Sequence, residues 1–179
     1  MIRTLVSAML LAALPAAAST AAHAGTIERF KTPGPAPALI LQGVSVPAGS
    51  DMLFLSGMLA SPTDPAKPMS PALTMADFGD TKTQTISAFT KIKEALASHG
   101  YAMSDIIKLT VFVAGDPALG GKMDFAGMNA GYKMFFGTAD NPNLVARSTV
   151  QVAALAGPAF LVEIEATAAR TPKPAKAKR

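Results

Sequence analysis

Apolar and polar residues alternate most regularly after Ser104-Asp105. Ile107, Leu109, Val111 and Val113 fall on one side, and Lys108, Thr110 and Phe112 on the other. A period of two predicts a strand. Between Asp80 and His99 the period lengthens: Ile86, Phe89, Ile92 and Leu96 recur at helical spacing, with Lys91, Lys93 and Glu94 outside the stripe. A helix is predicted there, stopped by Gly100. Two apolar runs precede it, Ala38–Val46 and Met52–Ala60, joined by the turn PAGSD, which predicts a hairpin. Ser56-Gly57 interrupts the second run, as at a bulge. Residues 61–78 hold four prolines and read as a loop. A second helix is predicted over Asp124–Phe136, capped by Asp124 and closed by Gly137. Its internal Gly127 and Gly131 weaken it as an autonomous helix and suit close packing on a sheet. Ala146–Ala154 and Ala159–Ala168 predict a final hairpin.

The resulting order, β-β-α-β-α-β-β, predicts an α+β fold: a mixed sheet with two helices on one face. The other face keeps apolar residues and no third layer is encoded, so it is expected to pack against further copies of the chain.

Both ends stand apart from this pattern. Residues 1–24 combine Arg3, an apolar stretch broken by Pro15, and Ala22-His23-Ala24 before Gly25. That is the layout of a secretory signal peptide cleaved at about Ala24-Gly25, which predicts an exported protein, periplasmic or secreted, without a membrane span. Residues 25–37 are Pro/Gly-rich and read as an extended lead-in to a domain over 38–169. Residues 170–179 are rich in Pro, Lys and Ala, with nothing to bury, and read as a basic disordered tail.

The tail distorts the charge. The full chain is +4, yet residues 25–169 hold 10 basic and 12 acidic residues, a net charge of −2. A domain of that charge, without a basic stripe interleaved with aromatics, gives no reason to expect nucleic acid as a partner. The absence of cysteine excludes disulfides, thiol catalysis and Cys-based zinc sites. After residue 24 only His99 remains, beside Gly100 where a helix should end, which is ordinary capping chemistry and offers no multi-His metal site.

Chemistry concentrates in residues 142–168. Arg147 is the only basic residue between Lys133 and Arg170, and Glu163 and Glu165 are the only carboxylates after Asp140. An arginine among apolar, β-prone residues needs an anionic partner if it is buried. Two answers are open: a structural cross-strand pair with Glu163 or Glu165, or the carboxylate of a small ligand gripped bidentately.

The stretches LQGVSV, MLFLSGMLA, QTISAFTKIKEALASHGY, SDIIKLTVFVA, DFAGMNAGYKMFF and ARSTVQVAAL followed by VEIEATA, in that order and spacing, resemble the Rid (reactive intermediate deaminase) family, also called YjgF or endoribonuclease L-PSP. The resemblance covers roughly Leu39 to Ala168. It implies a chorismate-mutase-like fold assembled as a homotrimer with three pockets between subunits. It also implies hydrolysis of imines or enamines of 2-keto acids to keto acid and ammonia, with no metal or cofactor. By the same resemblance Arg147 would grip the substrate carboxylate and Glu163 would serve the attacking water. Ser56, Gly57, Asn129, Thr149 and Ile40 would line the pocket. Thr149 stands where many members have cysteine, and Ile40 where many have tyrosine. Two loops look expanded, the proline-rich one after Ala60 and the one from Asp116 to Met123.

The residue types suit the reaction. A guanidinium holds a planar carboxylate in a fixed orientation, which an ammonium does not. A carboxylate orients or deprotonates water for attack on an imine carbon. The competing expectation is a non-catalytic trimer using the same Arg147 pocket to bind small carboxylates or partner proteins. Ribonuclease activity is disfavoured by the acidic domain and the lack of a catalytic histidine.

Overall fold

The structure, a computed structural model, describes residues 25–35 and 37–171, so the expected signal peptide (1–24) and most of the tail lie outside the described residues. Six strands form one mixed sheet: β1 (Glu28–Lys31), β2 (Leu41–Ser45), β3 (Asp51–Leu59), β4 (Ile106–Ala114), β5 (Ala146–Val152) and β6 (Val162–Arg170), in the spatial order β1-β2-β5-β4-β6-β3. β4 and β2 run parallel to β5, and the other pairings are antiparallel. Helix α1 (Met75–Phe78) is one turn inside the proline-rich loop, α2 (Thr81–Ser98) is the long helix, and α3 (Phe125–Tyr132) precedes β5.

Neither expected hairpin forms. β2 pairs with β1 and β5, β3 pairs with β6, and β4 lies between β5 and β6. The short PAGSD connection therefore links strands at different positions in the sheet. Part of the expected lead-in is itself a strand, since β1 adds to the β2 edge. Arg29 secures it, donating to the carbonyls of Ser104 (2.9 Å), Ile106 (3.0 Å) and Leu144 (2.8 Å).

The expected long helix matches closely. Asp80 is its N-cap, accepting from the Thr83 amide at 2.8 Å, and His99 is its C-cap. Gly100 follows at φ +75°, the left-handed turn that ends many helices. α2 presses Ala88, Phe89, Ile92 and Leu96 against Leu109, Val111 and Val113 of β4 and Val162, Ile164 and Ala166 of β6. α3 adds Met128 and Tyr132 to the same core, so both helices share one face of the sheet. α3 is shorter than expected, and its last four expected residues fold as turns. Gly131 serves a helix contact rather than a sheet contact: a Cβ there would lie 2.8 Å from the Thr85 side chain of α2.

The opposite face carries Met52, Phe54 and Ser56 of β3, with Phe54 73% exposed, together with Lys108 and Thr110 of β4, Ser148 and Val150 of β5, and Glu163 and Glu165 of β6. This is the face on which the sequence left apolar residues uncovered.

Candidate functional site

Arg147 lies one residue into β5, opposite Leu109 of β4, and so points toward the helices. Its guanidinium is partly buried under α3. Nη2 donates to Asn129 Oδ1 at 2.7 Å, Nη1 approaches the Met128 sulfur at 3.7 Å, and the group sits 4.5 Å from the centroid of the Tyr132 ring. Burial pulls its pKa down from the ordinary arginine value and the Tyr132 contact opposes that shift. Arginine remains cationic at any physiological pH. A guanidinium has five N–H donors and these contacts occupy two. No carboxylate among the described residues pairs with it.

Thr149 follows two residues later on the same face, opposite Val111, and its buried hydroxyl has no hydrogen-bond partner among the described residues. Ile40 immediately precedes β2. Its carbonyl accepts from Thr32 Oγ1 at 3.1 Å, and the next amide, of Leu41, donates to the Val145 carbonyl at 2.9 Å. Ile40 thus flanks the start of the strand that carries Arg147, and it brings no hydroxyl.

The second group lies across the sheet. Glu163 pairs with Phe112 of β4 and Leu59 of β3 and faces away from the helices. The register of β3 against β6 shifts between Leu55 and Met58, so Ser56 and Gly57 form a bulge. Such extra residues recur beside active sites, where they re-aim the chain. The Glu163 carboxylate lies directly over Gly57, and a Cβ there would overlap its Oε1. Gly57 has no positive φ, so space alone explains the glycine. Ser56 is exposed and lines a shallow depression of about 310 Å³ with Lys108, Thr110 and Glu165. Lys108 Nζ there bonds Ser148 Oγ at 2.9 Å.

The chain therefore brings Arg147, Asn129 and Thr149 together on the helix side of the sheet, and Ser56, Gly57 and Glu163 on the other. An Arg147–Glu163 cross-strand pair is ruled out, because β4 separates their strands and they occupy opposite faces. Glu165 shares the face of Glu163 and is excluded as a partner in the same way. Sequence reasoning missed Met128 and Tyr132. The stripe Met128, Tyr132 and Phe136 at intervals of four was the available signal.

Among the described residues there is no cluster of His, Cys, Asp and Glu able to hold a metal, and no helix long and apolar enough to cross a membrane.

Residues 42–170 match the model of the Endoribonuclease L-PSP family. The chain belongs to that family, known also as Rid or YjgF. A RutC family protein of Haemophilus influenzae is 35% identical over 135 residues, covering 75% of this chain and 92% of its own. The 2-iminobutanoate/2-iminopropanoate deaminase of Salmonella typhimurium is 36% identical over 138 residues, again covering 75% and 92%. Among solved structures, Escherichia coli TdcF with bound serine aligns with a TM-score of 0.52 at 32% identity, covering 82% of this chain and 99% of that one. YyfB of Yersinia pestis, from the conserved Rid family, aligns at 0.59 with 21% identity and supports the fold alone. The α+β architecture is thus the chorismate-mutase-like fold of the Rid family, and imine deamination is an activity found within that family.

Proposed function

We propose that this chain hydrolyses reactive imines or enamines of 2-keto acids, or of a related small carboxylate, to keto acid and ammonia. The observation that carries this reading is the Arg147 guanidinium: partly buried, bonded to a neutral amide, beside a thioether and over an aromatic ring, with no paired carboxylate among the described residues and N–H donors to spare. A desolvated cation without a protein counter-charge is suited to an anionic ligand. Asn129 and Thr149 border that position, and Ile40 gives it an apolar flank.

Arg147 and Glu163 face opposite ways in one protomer, so the reading places the reaction between protomers of a homotrimer. Arg147 of one copy grips the substrate carboxylate, and Glu163 of a neighbour, beside Ser56 and Gly57, serves the water. Water oxygen bonds to the protonated imine carbon while Glu163 takes its proton. Glu163 then returns that proton to the amino nitrogen, the C–N bond breaks as nitrogen leaves as ammonia, and the hydroxyl oxygen forms the keto C=O bond and gives its proton to water or ammonia. Holding both reactants contributes the proximity advantage, and no cofactor takes part. The reading further places the mature protein, from Gly25, outside the cytoplasm, with no nucleic-acid partner.

The test is ammonia and keto-acid release from freshly generated 2-iminopropanoate by wild type, Arg147→Ala and Glu163→Gln. Acceleration by wild type, lost in both variants while Glu163→Gln still binds 2-oxopropanoate, is expected. A folded trimer that does not accelerate release refutes catalysis and leaves carboxylate binding as the function.

A further inference from the structure

The three described arginines hold their charges in different ways. Arg29 spends its guanidinium on three backbone carbonyls. Arg170 lies 4.3 Å from the Tyr101 ring centroid, donates to the Gly100 carbonyl, and has Asp51 at 3.6 Å. Arg147 also lies over a ring, but among the described residues no carboxylate accompanies it. The ring beneath Arg147 is fixed, whereas Arg170 sits over one that is partly exposed. Tyr132 is wholly buried, stacked on Phe136 at 4.7 Å and 17°, and edge-on to Phe89 at 6.3 Å. Its helix is held against α2 by the close approach at Gly131.

Resting on the deaminase reading, we propose that Tyr132 is a positioning residue for the substrate grip: its ring face fixes the Arg147 guanidinium before substrate arrives and leaves its positive charge unneutralised. A carboxylate in that place would hold the guanidinium more firmly and would also cancel the charge that a substrate carboxylate must find. An aromatic face attracts a cation through its quadrupole and carries no net charge. The ring performs this role and the hydroxyl does not. That hydroxyl is buried and has no hydrogen-bond partner among the described residues. Burial raises its pKa, so it stays protonated.

The test compares Tyr132→Phe, Tyr132→pentafluorophenylalanine and Tyr132→Leu with wild type and Arg147→Ala. It reads kcat and KM on 2-iminopropanoate, the Kd of 2-oxopropanoate, and thermal unfolding. Fixing one long side chain in advance is worth roughly three- to tenfold in binding. Tyr132→Phe should keep KM and Kd within about twofold of wild type, since the ring face remains. The fluorinated ring keeps the shape and reverses the quadrupole, so its KM and Kd should rise roughly three- to tenfold with kcat within about twofold and a cooperative melting transition retained. Tyr132→Leu should weaken binding at least as much. If it does not fold, the Phe and fluorinated variants, alike in shape, decide alone. Equal KM and Kd in those two overturn the proposal. A Phe variant as impaired as the fluorinated one overturns it too, because the hydroxyl would then be the active part. A folded wild-type trimer without turnover is a separate failure: it refutes the function on which the proposal rests.

Discussion

Replacing Asn129 by Asp changes the shape around Arg147 by nothing and the charge by one unit. Arg147 Nη2 already donates to Asn129 Oδ1 at 2.7 Å, so the introduced carboxylate arrives in bonding position. The existing bond, from a cationic donor, is already charge-assisted and worth about 1.5–3 kcal/mol, and the carboxylate turns it into an ion pair. Two unit charges about 4 Å apart at an effective dielectric of about 20 attract by roughly 4 kcal/mol. Taking roughly 2–4 kcal/mol for the new pair, a substrate carboxylate meets a neutralised guanidinium and loses a comparable amount. That is about two orders of magnitude in affinity. Calorimetric titration with 2-oxopropanoate should show this loss, and KM should rise with it. The variant should also melt several degrees higher, because a stability gain of about 2 kcal/mol shifts the midpoint by that much. The introduced carboxyl has its folded pKa depressed by Arg147, below an unfolded value of about 3.9. Its stabilisation is therefore present above pH 4 and lost as pH falls through the folded value, so weak binding persists at every pH above about 5. An Asn129→Asp protein that is folded and binds the keto acid as tightly as wild type would refute Arg147 as the carboxylate grip.

Gly57→Ala should fold yet push the Glu163 carboxylate off its seat, lowering kcat by about 10² with KM little changed; wild-type turnover would count against Glu163 as the water's base. Gly131→Ala sets a Cβ 2.8 Å from Thr85, and overpacking of about 1–3 kcal/mol should outweigh a helix-propensity gain of about 1 kcal/mol, lowering the urea midpoint. A stabilised variant would show that the glycine does not serve the α2–α3 approach. The Asp77 carboxyl is held down to about 2, first by its hydrogen bond from Lys67 and then by the Thr74 amide. A depressed folded value means its contribution is present above the ordinary carboxylate range and fades as pH drops through about 2. The melting-temperature gap between wild type and Asp77→Asn should accordingly be full above pH 4 and close toward pH 2, and a gap unchanged at pH 2 would contradict that pairing.

The periodicities located α2, β3 and β4 almost to the residue, because burial of one face imposes a 3.6- or 2-residue period whatever the neighbours are. Adjacency was not legible in the same way. A strand's alternation says which residues share its face, not which strand lies beside it, so two short connections were read as hairpins that the sheet order excludes. The same gap hid the relation between Arg147 and Glu163: each belongs to a definite face of its own strand, but only the register through β4 shows that the faces are opposite. β1 was invisible as a strand because ERFK is short, polar and followed by prolines. The resemblance supplied Asn129 as a pocket residue, and the structure places it in contact with Arg147. Tyr132 sat in plain view in the aromatic run YKMFF, which was read only as the end of a helix, and the structure places its ring in the core.

The position of β6 has a consequence for how the protein comes into being. Among the described residues β3 pairs with no strand but β6, and β4 is flanked by β5 and β6, both of which follow it in the chain. As the polypeptide emerges from the ribosome, β3 has its apolar residues and no partner until residues 162–170 appear. Partial sheets cannot be sealed in order of synthesis, so assembly waits for the last strand, and the long loops it closes make that assembly slow. A chain stopped at Leu161 would keep α2, α3 and most of its core residues, and still expose an unpaired edge prone to joining other chains.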